Sequence, residues 1–310
     1  MAETTTLPRV DVIIAVRNEP RLTTCLAALE RQTYPRHLIT VVVVNNGAPG
    51  TLPAGVETDP RYLVLHEPVP GAGAARNKGV AHTSGEVIAI TDGDCHPVPQ
   101  WIEAGVAALM AGEPMVAGAI QFTFAADRPT VVEYADARFH LQQQRYARAG
   151  YAATTSAFYR REAFEAVGGF DPAFLAVEDV DLGLRISKGA PIKFVPEALV
   201  LHPARQSLRD LLHKRVVQAR YVHRSVPWTW RKILKRTAPR PWHMHVEALR
   251  DPTLPRLTQR LAHAAILQAL TSVGGVVGAR ERLLHGRQQA SARRASRDNL
   301  SRTGTTTASR

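Results

Sequence analysis

Cysteine is scarce in this 310-residue chain, and so are long apolar runs. The two cysteines, Cys25 and Cys95, have no Cys-x-x-Cys spacing, which excludes a disulfide framework and gives no indication of a zinc site. The longest weakly polar stretch, residues 264–279, is shorter than the ~20 residues that span a bilayer, and it contains three polar side chains. The apolar run at residues 10–16 is too short for a signal peptide. These absences predict a cytoplasmic protein without a membrane span.

Acidic residues are few in the C-terminal third. The whole chain has 39 Lys and Arg against 27 Asp and Glu. Residues 205–240 hold eleven basic residues and one acid, and residues 280–310 hold eight arginines and two acids. The basic surplus therefore belongs to the C-terminal region, where it suits an anionic membrane surface or a polyanionic substrate. A basic region of this kind also occurs without any specific partner, and we do not expect nucleic acid as one.

What the sequence does contain is a regular alternation of apolar and amphipathic segments. β-Branched runs at residues 10–16, 38–44, 62–65 and 87–91 are separated by helical patterns. This order predicts an α/β fold with a mostly parallel central sheet and helices on both faces. Farther along, we expect a helix at 131–148, an extended segment at 154–159, a helix at 180–188 and strands at 192–195 and 198–201. In such a sheet the ligand lies beyond the carboxyl ends of the strands, so the polar residues there matter most.

Two carboxylates follow the fourth apolar run directly. Asp92 and Asp94 flank Gly93, and together they can hold a divalent cation whose other positions bind phosphate oxygens. A solvated turn with Asp94 as a helix cap would produce the same residues. The position at the end of a buried strand favours the metal site.

A second acidic cluster, Glu178-Asp179-Val180-Asp181, begins a predicted helix. Acids are favoured at any helix N-terminus, whatever the function. A carboxylate that stays ionised there also suits a general base. His202 follows the apolar run at 198–201; a lone histidine is usually structural, but as a neutral imidazole it can complete a metal site.

The glycine-rich segment at residues 71–79 superficially matches a dinucleotide fingerprint. It follows Pro68-Val69-Pro70 rather than a strand, and Arg76 stands where the third glycine belongs, so we reject a nicotinamide site. A glycine-led helix start beside Arg and Lys still suits a diphosphate.

In their order along the chain, these segments resemble the inverting glycosyltransferases of family 2, which have the GT-A fold. The resemblance covers about residues 10–203. The five matching segments are 12–19 with Arg-Asn-Glu, 32–35 (Gln-Thr-Tyr-Pro), 41–47, 73–94 with Ala-Arg-Asn-Lys-Gly and Asp-Gly-Asp, and 168–182 with Gly-Gly-Phe-Asp and Glu-Asp-Val-Asp-Leu.

The resemblance implies roles for individual residues. Asp179 would be the general base, and Asp94 and His202, with Asp92, would bind Mn²⁺ or Mg²⁺ against the diphosphate. The segment 150–156 falls where the family often contacts the donor sugar or the acceptor. On that side we expect Tyr151, Thr154 and Glu178. The residues expected to line the nucleotide-sugar pocket are Ala15, Arg17, Glu19, Asn45, Arg76, Asp92 and Gly93.

Two departures from the family pattern concern specificity. Asn45 stands where the family usually has an aspartate that accepts from the nucleotide base, so the donor nucleotide is left open. The Gln-x-x-Arg-Trp signature of processive synthases is missing; the corresponding residues 213–220 read His-Lys-Arg-Val-Val-Gln-Ala-Arg. This favours transfer of single sugars.

The resulting prediction is a GT-A three-layer sandwich with a basic helical C-terminal appendage. We expect a catalytic domain at 1–203, with a nucleotide-binding half at about 8–98 and an acceptor half at about 99–203, then the appendage at 204–289 and a disordered tail at 290–310. Trp228, Trp230 and Trp242 lie among basic residues of the appendage, where they suit either a membrane edge or packing onto the catalytic domain.

The predicted activity is metal-dependent transfer, with inversion, from a nucleotide-diphosphate sugar to a carbohydrate or lipid-linked acceptor. We expect a role in the cell envelope, with the enzyme cytoplasmic or peripheral at the inner face of the plasma membrane. One alternative is an inactive GT-A scaffold at the membrane. Another is a nucleotidyltransferase, which would carry a glycine-rich Lys/Arg signature where residues 17–20 read Arg-Asn-Glu-Pro.

Overall fold

A computed structural model describes the backbone of residues 6–225, 246, 249–250 and 252–303; the side chains of 223–225 and 285–303 lie outside the description. The chain forms two compact units. The first comprises residues 1–211 and 253–255, and the second comprises 212–252 and 256–310. The domain bounds predicted from the sequence, with a division at 203, stay a prediction.

The first unit is built on an eight-stranded sheet. Its strands are β1 (Val10–Val16), β2 (Ile39–Asn45), β3 (Tyr62–His66), β4 (Val87–Asp92), β5 (His96–Pro97), β6 (Met115–Thr123), β7 (Ala157–Arg160) and β8 (Lys193–Pro203). Their order across the sheet is β3-β2-β1-β4-β7-β6-β8-β5. Pairing is parallel from β3 through β4 and between β6 and β8, and antiparallel at β4–β7, β7–β6 and β8–β5. The sheet is therefore mixed, with its longest parallel stretch in the N-terminal half.

Helices cover both faces of this sheet. They are α1 (Leu22–Leu29), α2 (Ala72–Ala81), α3 (Trp101–Met110), α4 (Val131–Phe139), α5 (Gln143–Arg148), α6 (Arg161–Ala166) and α7 (Glu178–Ser187). Short 3₁₀ turns lie at Arg36–Leu38 and Thr154–Ser156. Two longer helices follow, α8 (Leu208–Ser225) and α9 (Leu257–Thr303).

The hydrophobic core has two layers because successive side chains of a strand point to opposite faces. On one face, Val12 and Ile14 of β1 join a cluster that includes Leu26 of α1 and Trp101 of α3. On the other face, Ile13 joins a cluster formed with α2, α6 and α7. The predicted three-layer sandwich follows from this arrangement.

Several elements differ from the sequence prediction. The first half of the extended segment expected at 154–159 is the 3₁₀ turn Thr154–Ser156. The helix expected at 131–148 is two helices, because Leu141 has a positive φ of 51° that no continuous helix allows. The strands expected at 192–195 and 198–201 are one strand, β8. Strand β6 and helix α3 were not predicted. The register of β6 with β8 shifts between Gly118 and Ile120, and a Cβ atom on Gly118 would collide with Ser156 Oγ and the carbonyl oxygen of Ala198.

The C-terminal residues also differ from their prediction. Helix α9 continues to Thr303, through most of the segment expected to be disordered, because alanine and arginine there favour a helix and no proline interrupts it. Its segment Leu257–Leu284 is long and apolar enough to cross a membrane by length and composition, which the shorter stretch 264–279 did not suggest. The predictions for Trp228, Trp230 and Trp242 fall on residues outside the described ranges.

Candidate active site

The carboxyl ends of β1, β2 and β4 bring the polar residues of three separate segments together. In the sheet register Ala15 lies beside Asp92 on one side and Val44 on the other, and Val16 lies beside Asn45. Arg17 follows β1 and is exposed. Gly93 fits a close approach of the loop after β4 to the end of β1: a Cβ atom there would lie 3.3 Å from Val16 Cγ2, a tight contact.

Asp92, Asp94, Cys95 and His202 form one cluster, in which a ligand atom from each lies within 4.8 Å of the others. His202 reaches it from β8, with Nε2 3.8 Å from Asp94 Oδ2. Its Nδ1 is buried and has no hydrogen-bond partner among the residues that the structure describes. Two carboxylates and an imidazole are a donor set for Mn²⁺ or Mg²⁺, so the three predicted metal ligands fit a divalent cation.

The site around Asp94 contains more negative than positive charge. Burial raises the pKa of the Asp94 carboxyl, and the charges of Asp92 and Glu19 add to the rise, against the opposite effect of His202 and Arg21. Arg21 lies 3.6 Å from Asp94 and 2.8 Å from Glu19. Burial would raise the pKa of Glu19, but the hydrogen bonds from Arg21 outweigh it and lower that pKa. A bound cation would relieve the repulsion among these acids.

Cys95 was not predicted at the site, although it immediately follows Asp94. Its Sγ donates to Asp94 Oδ1 at 3.5 Å. Burial, with the charges of Asp92 and Asp94, raises the pKa of the Cys95 thiol well above its ordinary value. A thiolate is a soft ligand, so Cys95 suits Mn²⁺ or Mg²⁺ less well than the two carboxylates do.

We call the group of Asp92, Asp94, Cys95 and His202 the metal cluster, because it could hold an ion. Arg76 connects this cluster to the start of α7. Its guanidinium donates to Asp92 Oδ1 at 3.0 Å and to Glu178 Oε1 at 2.7 Å, and the side chain is only 4% exposed. Burial would lower the pKa of Arg76, but the charges of Glu178, Asp92 and Asp179 outweigh it and raise that pKa. Arg76 thus holds two acidic groups on different elements at a fixed separation.

The predicted base, Asp179, lies in the first turn of α7 and is half-buried, and its Oδ1 accepts from the Val180 amide at 2.8 Å. The helix starts after Val177, whose φ of 59° is a left-handed conformation that β-branched residues rarely adopt. This turn directs Glu178 towards Arg76.

Two stacked tyrosines lie beside α7. Tyr151 stacks on Tyr146 with ring centroids 4.9 Å apart, and it packs against Gly183, where a Cβ would come within 2.5 Å of Tyr151 Cβ. Burial, together with the charge of Asp179 and against hydrogen bonds, raises the pKa of the Tyr146 phenol. Tyr146 is thus a neighbour of the predicted base that sequence patterns did not identify.

The turn at Thr154–Ser156 precedes β7, the strand that pairs with β4, and it reaches the metal cluster from that side. Thr155 donates from Oγ1 to Asp92 Oδ2 at 2.8 Å, and its carbonyl oxygen accepts from Thr91 at 3.0 Å. Thr154, the residue predicted at the site, is buried beside it. Thr155 had no distinguishing signal in the sequence, because a threonine in an apolar stretch has no motif of its own.

Asn45 is buried at the end of β2 and binds its own loop. Its Nδ2 donates to the Ala48 carbonyl at 3.1 Å and its Oδ1 accepts from the Gly47 amide at 2.8 Å. These bonds fix the amide orientation and close the loop at 46–51. An aspartate could not donate to Ala48, so the residue that departs from the family pattern shapes this loop.

Comparisons with known proteins give relatives of this chain by sequence. A model of the family described as Glycosyl transferase family 2 matches residues 11–168. Glycosyltransferase AglE of Haloferax volcanii is 34% identical over 211 residues, which cover 65% of this chain and 69% of that protein. The pre-mycofactocin glycosyltransferase of Mycobacterium tuberculosis is 30% identical over 221 residues, 66% of this chain but only 45% of that protein.

Solved structures show the fold. Mannosyltransferase PcManGT from Pyrobaculum calidifontis, in complex with GDP-Man and Mn²⁺, has a TM-score of 0.55 and 21% identity, with 97% of this chain and 84% of that chain covered. S. aureus TarS 1–349 in complex with UDP-GlcNAc has a TM-score of 0.51 and 14% identity, with 89% and 92% covered. The predicted GT-A fold, a mixed central sheet with flanking helices, is confirmed.

Proposed function

Because the chain belongs to glycosyl transferase family 2 and is a glycosyltransferase, we propose that it transfers one sugar at a time, with inversion, from a nucleoside-diphosphate donor to an acceptor hydroxyl. The observation that carries this proposal is the pairing of two sites. A carboxylate–imidazole cluster faces the strand ends, and a separate carboxylate, Asp179, begins the adjacent helix. Arg76 connects the two.

The donor is proposed to lie over the carboxyl ends of β1, β2 and β4. Ala15 and Gly93 leave room for it, Arg17 and Arg76 supply positive charge, and Glu19 and Asn45 line its edge. The ligands in the two similar structures, GDP-Man and UDP-GlcNAc, are both nucleotide sugars. Since Asn45 is bound to its own loop, we expect that loop to contribute to the choice of base.

The cation is proposed to be held by Asp94 and His202, with Asp92 beside them. When bound, Mn²⁺ or Mg²⁺ would neutralise the charge that develops on the diphosphate leaving group. The protein contributes the fixed geometry: Arg76 and Thr155 hold Asp92 through one carboxylate oxygen each. The Asp92 carboxylate thus stays in place before any ligand arrives.

Asp179 is proposed as the general base. Its carboxylate accepts the proton of the acceptor hydroxyl while the acceptor oxygen bonds to the anomeric carbon and the bond from that carbon to the diphosphate breaks. Direct displacement of this kind inverts the anomeric centre. The stacked Tyr146 and Tyr151, with Thr154 and Glu178, form the side on which we place the acceptor or the donor sugar, since aromatic faces are common linings of ligand sites.

The acceptor is proposed to be a carbohydrate or a lipid-linked molecule of the cell envelope. The basic composition of residues 205–240 and 280–310 supports an enzyme at the inner face of the plasma membrane, in the cytoplasm. The absence of the processive Gln-x-x-Arg-Trp signature from residues 213–220 supports single-sugar transfer.

Calorimetric titration of the purified chain with UDP, GDP, dTDP and CDP, each with and without Mn²⁺, tests the proposal. We expect one nucleotide to bind with metal. Asp94→Ala should weaken that binding at least about tenfold, since even outer-sphere changes at metal sites cost this much. Asp127→Ala, a change of an exposed acid that is not part of the cluster, is the matched control and should bind normally.

If no nucleotide binds under any condition, the proposal is wrong and the chain is an inactive scaffold. Equal binding with and without metal, unchanged in Asp94→Ala, would instead remove the metal from the mechanism. Release of free diphosphate from a nucleoside triphosphate would indicate a nucleotidyltransferase.

A further inference from the structure

Helix α9 has an exposed face that is apolar over most of its described length. Every residue between 257 and 279 that is exposed is uncharged. Leu257, Leu261 and Val276 are each more than half exposed. At 3.6 residues per turn, these side chains fall within about a third of the helix circumference. We call this the outer face, formed by Leu257, Leu261, Ala265, Ala269, Val276 and Leu283. The same third of the helix also contains the exposed Thr258 and the half-buried pair Gln268 and Ser272, which are hydrogen-bonded to each other.

The opposite face of α9 packs inside the second unit. Leu267 and Leu270 are buried there. Arg215 of α8 donates from Nε to the Leu270 carbonyl at 3.0 Å, and its guanidinium fills the space where a Cβ on Gly274 would lie. The outer face is therefore the side of α9 that remains without cover in the described part of the chain.

These contacts decide how such a helix meets a bilayer. Arg215 lies against residues 270 and 274, near the middle of the segment Leu257–Leu284. If the segment spanned a bilayer, this guanidinium would sit near the centre of the hydrocarbon, where a charged group is costly. A helix lying in the plane of the surface keeps Arg215 on the protein side and places only the outer face against lipid.

The charge pattern identifies the kind of surface. Arg256 precedes the outer face and Arg280, itself exposed, ends its uncharged stretch. From 280 to 303 the sequence has seven arginines against two acids. A second copy of this chain would bring like charges together, whereas a membrane with anionic headgroups complements them.

We propose that the outer face of α9 is a membrane-docking surface, which lies parallel to an anionic bilayer with its leucines and valine at the headgroup–acyl boundary. The proposal gives the membrane location suggested above a specific surface and partner. Vesicle binding can be measured without donor or acceptor, so a failure of docking and a failure of transfer are separate results.

The test is flotation of the full-length protein with phosphatidylcholine vesicles, with and without phosphatidylglycerol. We expect flotation with the anionic vesicles and a strong decrease at high salt, because salt screens the arginines. Leu261→Glu combined with Val276→Glu should lower the bound fraction at least about tenfold, since it places charge in the apolar contact. Both positions are exposed, and glutamate is a good helix former, so circular dichroism should be unchanged.

Met110→Glu is the matched control: it changes an exposed hydrophobic residue of α3 to the same acid and should bind vesicles like the unsubstituted chain. The proposal is wrong if the unsubstituted protein does not float with anionic vesicles, or if the double variant floats equally well. Resistance to extraction by alkaline carbonate would show a spanning helix instead. A dimer that the double variant converts to a monomer, without vesicle binding, would assign the outer face to a second copy.

Discussion

Asp179 and Glu178 are adjacent acids with different surroundings. Glu178 is buried and bound to Arg76, whereas Asp179 is half-buried in the first turn of α7. Of the two, Asp179 is the residue that we propose as the general base. We predict that Asp179→Asn lowers the turnover number by about 10²–10⁴, the usual contribution of a general base, while nucleotide affinity changes little.

Asp181→Asn is the control for that change, because Asp181 lies two residues along the same helix and is paired with Arg185 instead. Steady-state kinetics with the identified donor, together with calorimetry of the nucleotide, separate the two effects. Turnover by Asp179→Asn close to that of Asp181→Asn would exclude Asp179 as the base.

Single residues also show where prediction from sequence ends. Asp92, Asp94 and Asp179 were identified because each belongs to a motif at the end of a strand or the start of a helix. Thr155 and Arg21 were not, although both bind carboxylates of the site. Thr155 contacts Asp92 because the fold brings two distant segments together, and Arg21 contacts Glu19 because of the turn between them. Neither residue belongs to a motif that a sequence would reveal.

At the scale of elements, the connection after β8 is anchored to α4. Asp136 of α4 is fully buried and accepts from His140 Nδ1 at 2.7 Å, from the Arg205 amide at 2.9 Å and from the Arg205 guanidinium at 3.1 Å. Burial would raise the pKa of Asp136, but these partners outweigh it and lower that pKa below its ordinary value of 3.8. The anchor lies three residues beyond His202, so it also supports the metal cluster.

The lowered pKa fixes the sign of the pH dependence. The stabilisation that the ionised Asp136 carboxylate gives the folded protein is fully present above its unfolded-state pKa of about 3.8. It is lost as the pH falls through the lower pKa of Asp136 in the folded state. We predict that Asp136→Asn lowers the free energy of unfolding by about 3 kcal/mol at neutral pH, as expected when one partner of a buried pair is removed. Its stability should also fall less steeply below pH 4 than that of the unsubstituted chain.

Urea unfolding at several pH values measures both effects. Asp127→Asn, which changes an exposed aspartate, should follow the unsubstituted chain. Parallel pH curves for Asp136→Asn and the unsubstituted chain would show that Asp136 does not titrate as described.

The elements that could be predicted are those with a clear hydrophobic pattern in the sequence. The four parallel strands of the N-terminal half are β-branched runs bounded by polar turns, and their positions agree with the structure to within about two residues. Strand β6 has no such pattern, because Gly118 and Gln121 interrupt it. The break at Leu141 could not be predicted either, since leucine is a good helix former and only tertiary packing forces its positive φ.

At the scale of the whole molecule, ligand binding is expected to stabilise one unit alone. All residues of the metal cluster and the proposed donor site belong to the first unit. Mn²⁺ with its nucleotide at about 100 times the dissociation constant adds about 2.7 kcal/mol to the stability of that unit. Its unfolding temperature should therefore rise by roughly 5–10 °C, while a transition of the second unit should not move.

Differential scanning calorimetry with and without ligand gives the result directly. At the same ligand concentration the shift should fall by about half or more in Asp94→Ala, because binding is at least about tenfold weaker, and it should be retained in Asp127→Ala. A single transition that shifts as a whole would show that the two units unfold together, and the prediction of separate transitions would be wrong.

The bridge formed by Arg76 has a consequence for how such a protein can change over evolutionary time. One guanidinium is shared by Asp92 at the end of β4 and Glu178 at the start of α7, so its single positive charge faces two acids. Loss of Arg76 would leave both acids without this partner in buried or partly buried places, which is strongly unfavourable. We therefore expect position 76 to tolerate substitution least of the three, while loops that make no contact with it can diversify.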